Sequence, residues 1–274
     1  MLTFPNAKIN LGLNITERRA DGYHNIETVF YPIALCDALE IVDGVAGFNL
    51  HQSGIVVDSP VEKNLVTKAY RLLAQDFDLP SLDVYFHKAI PFGAGLGGGS
   101  SDAAFMLKML NEHAALALTD EQLEAYAARL GADCAFFIKN SPVYAQGIGN
   151  EFSPVELSLK GKRIVLVKPD IHVSTAEAYA GVVPHVPAVS LYETIQHTPL
   201  QAWRQVVKND FEKSVFAQYP AIGKIKDTLY EAGAAYASMS GSGSSVYGIF
   251  ENEIDLKNAF PGCFVWQGEL GVEN

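Results

Sequence analysis

Apolar and polar residues alternate strictly through Ala7 to Ile15, "AKINLGLNI", the period of a strand with one face against a core. The pieces that follow, "ERRADGYHNIE", "TVFYPIAL" and "DALEIV", are also β-rich, so the first fifty residues read as antiparallel strands joined by polar loops, with Asp21 and Gly22 supplying a turn. In "KNLVTKAYRLLAQDF" the spacing changes: Leu65, Ala69, Leu72 and Leu73 share one side of a helix that Asn64 is placed to cap. "SLDVYFHKAI" returns to period two, with Leu82, Val84 and Phe86 inward. A helix is expected from near Ser100 through "SDAAFMLKMLNEH", and another in "TDEQLEAYAARLG", where Thr119 and Gln122 have capping-box spacing and Gly131 ends the run. "CAFFI" and "KRIVLVKP" read as strands, Pro169 closing the second. Past residue 160 a new α+β pattern begins, with helices in "STAEAYAG", "LQAWRQVV" and "YPAIGKIKDTLYEAG", the glycine-serine segment "SMSGSGSSVYG" and a late strand "CFVWQ".

There are no internal repeats, low-complexity linkers or charge blocks. The change of pattern places a seam near residues 145 to 165, and the chain divides into a domain over 1–155 and a second over 156–274. Lys+Arg 20 against Asp+Glu 31 gives a net charge of -11. No run of Lys or Arg offers a polyanion a landing field, which excludes nucleic acid as the main partner and leaves room for a small anion held locally. Cys36, Cys134 and Cys263 are odd in number and lack CxxC spacing, arguing against a disulfide framework or a zinc site. With neither a signal-peptide pattern nor about 18 unbroken apolar residues, a cytoplasmic protein without a membrane partner is expected.

Composition matters most locally, in "PFGAGLGGGSSDAA", where glycine occupies 93, 95, 97, 98 and 99 ahead of two serines and a helix. Gly93, Gly95 and Gly98 satisfy GxGxxG, but a second helix stands where a dinucleotide fold needs its next strand and acid. A Walker A loop fails because Gly99 sits where the lysine belongs. What remains is the physics common to such loops: glycine lets amides converge, and a helix start adds unpaired N–H groups and the positive end of its dipole. An anion is the natural occupant. The second segment, Ser238 to Gly248, reads either as an exposed turn or as a second wall of the same site. Asp133, between Gly131 and the apolar "CAFF", reads alone as a cap or turn residue, and Lys8 as a lysine on the polar side of its strand.

"PFGAGLGGGSSDAA" resembles the phosphate loop of the GHMP kinases, with the core pattern P-x-x-x-G-L-G/S-S/G-S. "AKINLGLNITERRADGYHNIETVF", "LGADCAFFI" and "SMSGSGSSVYGIF" resemble further blocks in the same order, and the first narrows the resemblance to the isoprenoid-precursor branch. Ala94 and Ala135 depart from it, standing where relatives often have glycine and proline. The resemblance implies an α+β, two-domain GHMP kinase fold: an N-terminal domain like ribosomal protein S5 domain 2 and a ferredoxin-like C-terminal domain. It implies ATP and Mg2+ as cofactors, and ATP-dependent phosphorylation of a hydroxyl on the methylerythritol part of a cytidine diphosphate derivative. The nearest alternative is a mevalonate- or homoserine-type member.

The implied roles follow residue by residue. Asp133 aligns with the catalytic base and Lys8 with its electrostatic partner, a cation that keeps the acid ionised and steadies charge on the reacting oxygens. Pro91, Phe92, Gly93, Ala94, Gly95, Leu96, Gly97, Gly98, Gly99, Ser100 and Ser101 would bind ATP, with Ser101 offering a hydroxyl toward Mg2+ that the nucleotide carries in. Tyr23 and His24 would receive the cytidine, Tyr179 closing the other side, with Asn10 and Thr175 as polar contacts. No dedicated metal ligands are expected, and the chain is expected to be a monomer or a weak homodimer.

Overall fold

The computed structural model describes residues 1–55 and 60–271. The chain begins with β1 (Leu2–Thr3), β2 (Asn6–Arg18), β3 (His24–Cys36), β4 (Ala38–Asp43), β5 (Phe48–Gly54), α1 (Leu65–Leu73) and β6 (Leu82–Lys88). It continues through α2 (Gly98–His113), α3 (Asp120–Ala128), α4 (Phe136–Lys139), β7 (Val143–Gln146), β8 (Glu151–Pro154) and β9 (Arg163–Lys168). The remainder is α5 (Thr175–Ala180), α6 (Leu191–His197), α7 (Trp203–Val206), α8 (Phe211–Gln218), α9 (Pro220–Glu231), β10 (Tyr236–Met239), β11 (Val246–Phe250) and β12 (Phe264–Glu269). Two compact units result: Met1–Ala7, Leu35–Phe92 and Gly97–Ser141 form the first, and Lys8–Ala34, Gly93–Leu96 and Pro142 onward the second.

In the first unit the sheet order is β1-β4-β6-β5, with β4 and β6 antiparallel and β5 and β6 parallel. The predicted alternation in β6 holds, Leu82, Val84 and Phe86 being buried, and the same period carries Lys88 to the buried face as its fourth member. Asn64 caps α1 by accepting from Val66 N at 2.9 Å. Thr119 and Gln122 form the expected capping box at the start of α3. The first turn of α2 begins at Gly98 rather than near Ser100, because Gly97 takes the left-handed conformation at the N-cap, with φ 69°.

The expected strand in "CAFFI" is instead the short helix α4, with Phe137 N bonded to Cys134 O at 3.2 Å and Asn140 N to Phe136 O at 2.9 Å. A run of five apolar residues carries no period that separates a strand from a buried helical turn, and Asn140 at φ 52° stops it after four residues.

The second unit contains two antiparallel sheets, β2-β3-β7-β8 and β10-β11-β9-β12. Of the β-rich pieces expected at the N-terminus, "DALEIV" is the short strand β4 of the first unit, while "AKINLGLNI" and "TVFYPIAL" lie within longer strands, β2 and β3, of 13 residues each. One apolar core joins the two sheets through Leu13, Ile15, Val165, Val167, Met239 and Val246, and covers them with Phe211 of α8 and Ile222 and Leu229 of α9. From Asn6 to Leu13 every residue of β2 is buried, so the alternation marks two packed faces and not one wet one.

Candidate active site

The glycine loop is bare for a measurable reason. Gly93, Gly95 and Gly97 hold φ of 60°, 76° and 69°, a region that side chains disfavour. Between them Ala94 and Leu96 are buried and anchor the loop, while Phe92 is 64% exposed. The carbonyls of these residues are engaged from behind: Ser245 N donates to Ala94 O at 3.3 Å, Ser240 Oγ to Gly95 O at 2.8 Å and Lys8 N to Leu96 O at 2.9 Å. The chain then enters α2, whose first-turn amides lack intrahelical acceptors as in any helix start.

The second glycine-serine segment is not an exposed turn but packs against the glycine loop. Ser240, Ser244 and Ser245 are fully buried, and the turn is closed by Ser240 N to Ser245 O at 2.9 Å and Gly243 N to Ser240 O at 3.0 Å. Asn209 Nδ2 fixes it from outside, donating to Met239 O at 2.8 Å and Gly241 O at 2.9 Å. Its role is to hold residues 94 and 95 of the loop.

Lys8 lies in the second unit at 3% exposure, donating through Nζ to Asn10 Oδ1 at 2.6 Å and Gly95 O at 3.4 Å, and sitting 4.7 Å from the centre of the Phe30 ring. Asn10 is equally bound: its Nδ2 donates to Thr28 Oγ1 at 2.9 Å, and its backbone oxygen accepts from Tyr247 OH at 2.7 Å. The expected solvent-facing lysine is thus an interior cation with assigned acceptors. Its strand pattern alone hid this, because the polar positions of β2 face a buried network. Asp133 belongs to the first unit, half-buried in the turn between α3 and α4, where Cys134 N donates to Gly131 O at 3.1 Å. The junction it occupies is therefore helix to helix.

Tyr23, His24, Thr175 and Tyr179 come together in the second unit on a cavity of 760 Å³, also lined by Arg18 and Val182 to Pro184. The His24 and Tyr179 rings stack at 4.7 Å with 21° between planes, and Phe211 meets Tyr179 edge-on at 4.9 Å. Tyr23 is 62% exposed and available to a ligand face. Asn10 is not among the residues lining this cavity; its side chain serves Lys8 and Thr28. Arg18 was not legible as a cavity residue in "TERRADGY", where charge alone suggests a wet loop.

A buried ionic cluster in the first unit was also missed. Lys88 Nζ donates to Asp37 Oδ2 through a very short contact and to Asp102 Oδ2 at 2.9 Å, while Asp37 Oδ1 accepts from Ala89 N at 2.6 Å and Ile90 N at 2.8 Å. The three side chains are at most 4% exposed. Burial pushes the Asp102 carboxyl well above the usual carboxylate range, the Lys88 ammonium opposing the rise and the Asp37 carboxyl adding to it. Asp102 Oδ1 and the neighbouring Ser101 Oγ are buried without a hydrogen-bond partner among the described residues. Burial likewise raises the Cys134 thiol to about 11, with Ser100 opposing by hydrogen bond, so this cysteine is an inert neighbour of the loop.

A glycine loop at the start of a helix is suited to hold an anion, and comparison with known proteins defines the class. The GHMP kinases N terminal domain matches residues 64–141 and the GHMP kinases C terminal domain residues 191–261. The chain belongs to the GHMP kinase family and has its two-domain α+β fold. It is 62% identical over 274 residues to the 4-diphosphocytidyl-2-C-methyl-D-erythritol kinase of Bacteroides fragilis, spanning 98% of this chain and 100% of the relative. The enzyme of the same name from Bacteroides thetaiotaomicron is 60% identical over 275 residues, with 98% and 100% covered. A crystal structure of 4-(cytidine 5'-diphospho)-2C-methyl-D-erythritol kinase superposes with a TM-score of 0.82 at 29% identity, covering 100% of both chains.

Proposed function

We propose that the chain is an ATP-dependent kinase that phosphorylates the 2-hydroxyl of 4-diphosphocytidyl-2-C-methyl-D-erythritol, a step toward isoprenoid precursors by the non-mevalonate route. The observation that carries this reading is the identity of 62% across the full length to an enzyme of that name. In this reading residues 1–155 form the N-terminal domain and 156–274 the C-terminal one, which is supported by the GHMP kinases N terminal and C terminal matches, at 64–141 and 191–261, falling on either side of that division.

Phosphoryl transfer needs a cradle for the nucleotide, positive charge for the transferring group and a carboxylate for the acceptor hydroxyl. Residues 91 to 101 supply the cradle, with the amides at the start of α2 as donors to phosphate oxygens. Asp133 orients the acceptor hydroxyl and accepts its proton as the new oxygen–phosphorus bond forms and the bond from the γ-phosphorus to the bridging oxygen breaks, that oxygen leaving with ADP. Lys8, already desolvated and held by Asn10 and Gly95, supplies positive charge that needs no reorganisation during the step. Mg2+, which neutralises charge on the phosphates, would be held mainly by their oxygens. Ser101 Oγ fits this role as a buried hydroxyl without a protein partner among the described residues, and no three His, Cys, Asp or Glu side chains among them gather into a metal site.

The cavity at Tyr23, His24, Thr175 and Tyr179 is assigned to the cytidine end of the acceptor. A pyrimidine stacks on an exposed aromatic, and base stacking of this kind is worth about 1–3 kcal/mol. Tyr23→Ala is therefore expected to raise KM for the cytidylyl alcohol roughly tenfold or more while leaving KM for ATP within twofold. Steady-state kinetics with each substrate varied checks this, and equal effects on both would remove Tyr23 from the cytidine site. No helix among the described residues is long and apolar enough to cross a membrane; a cytoplasmic enzyme acting as a monomer or weak homodimer completes the reading. The deciding experiment is a coupled assay offering mevalonate, homoserine and the cytidylyl alcohol, with phosphorus NMR of the product. Phosphate transfer to mevalonate or homoserine instead of the cytidylyl alcohol would overturn it.

A further inference from the structure

The Asp37, Lys88 and Asp102 cluster stands at both ends of the glycine loop within the first unit. Before the loop, Asp37 Oδ1 takes two successive backbone amides, Ala89 N at 2.6 Å and Ile90 N at 2.8 Å, and Asp37 Oδ2 takes the Lys88 ammonium. After the loop, the same ammonium donates at 2.9 Å to Asp102, in the first turns of α2. A single cation thus joins β6, which leads into the loop, to the helix that leaves it. Gly98 records how tightly they close: a Cβ there would lie 2.9 Å from Lys88 Nζ and 2.9 Å from Ile90 Cγ2. The ammonium is pinned between two carboxyls and cannot swing aside, so residue 98 is glycine because of close approach.

We propose that Lys88 is a positioning residue for the nucleotide, clamping the two ends of the phosphate loop through Asp37 and Asp102 so that the loop is already shaped when ATP arrives. The inference rests on the reading of residues 91 to 101 as an ATP site. It differs from a plain fold-stabilising ion pair in what it controls. A buried ion pair adds little net stability compared with apolar packing, because desolvating the charges offsets their attraction. Fixing a flexible, five-glycine segment removes ordering entropy that the ligand would otherwise have to supply. Asp102 Oδ2 accepts from Lys88, so what the clamp needs at position 102 is an oxygen facing the ammonium. Asparagine keeps that shape and that oxygen, and leucine keeps neither.

The test is calorimetric titration of ADP into the full-length protein, which needs no acceptor, together with amide hydrogen exchange and the ATP and acceptor KM values. Lys88→Met is expected to weaken ADP roughly tenfold or more and to speed exchange at residues 89–90 and 97–101, with β9 to β12 unchanged. The loss should fall on KM for ATP, with kcat and KM for the acceptor altered less than about twofold. Asp102→Leu is expected to lose affinity in the same way, and Asp102→Asn to retain most of what Asp102→Leu loses; this pair decides the matter if Lys88→Met does not fold. Wild-type ADP affinity in Lys88→Met or Asp102→Leu, whatever the melting temperature, overturns the positioning role while leaving the ATP site intact. Failure of the wild-type protein to bind ADP overturns both.

Discussion

Asp133→Asn is expected to lower kcat by roughly 10²–10⁴, the span of a positioned general base, while ADP affinity and melting temperature stay near wild type. Asparagine matches the carboxylate in size and still accepts a hydrogen bond, so it orients the hydroxyl but cannot take its proton. The residue is half-buried in a turn between α3 and α4. Because the exchange keeps the size and shape of the side chain, folding should tolerate it. Rapid-quench kinetics would locate the loss in the chemical step, and turnover within tenfold of wild type would assign the proton to another acceptor.

Gly95→Ala should be the most damaging single methyl group in the loop. At φ 76° an alanine costs about 1–2 kcal/mol in backbone strain alone. Its Cβ would also lie 2.0 Å from Ser240 O, 2.9 Å from Ser240 C and 3.3 Å from Gly243 O. These are backbone atoms of a turn closed by its own hydrogen bonds, so the loop must move instead, breaking the bonds from Ser240 Oγ and Lys8 Nζ to Gly95 O. Overpacking of this kind adds about 1–3 kcal/mol, for a total near about 2–5 kcal/mol. A melting temperature lower by roughly 5–15 °C and ADP binding weakened more than about tenfold are expected. Gly161→Ala is the control: φ is 81°, but nothing lies within 4 Å of its Cβ, so only the strain remains and ADP affinity should be unchanged. Equal behaviour of the two variants would show that the contact with Ser240 does not shape the loop.

The sequence carried its local signals well. The caps at Asn64 and Thr119, the alternation in β6 and the glycine loop are each written in neighbouring residues, and each appears where expected. The failures share a different cause. The polar positions of β2 look wet until residues some 230 positions later bury them, as when Asn10 N donates to Ser240 Oγ at 3.2 Å. Likewise Asp37, Lys88 and Asp102 are unremarkable apart; their meaning comes from strand register and from a helix that brings a third charge alongside. Lys88 did leave one trace, as the next inward position after Leu82, Val84 and Phe86, where a buried lysine demands a partner. In "CAFFI" the signal was absent, since an unbroken apolar run fits either backbone.

The partnership of β2 with the end of the chain has a consequence during synthesis. Asn10 is bound by Ser240 and by Tyr247, 230 and 237 residues later. At about 5–20 residues per second, roughly ten to fifty seconds of translation separate the emergence of this segment from that of the hydroxyls that complete it. Throughout that interval a lysine and an asparagine destined for the interior sit on an apolar ribbon that has nowhere final to go. Nascent chains of this enzyme should therefore depend on ribosome-associated chaperones, and stalling translation before residue 240 should leave the amino-terminal strand open to protease.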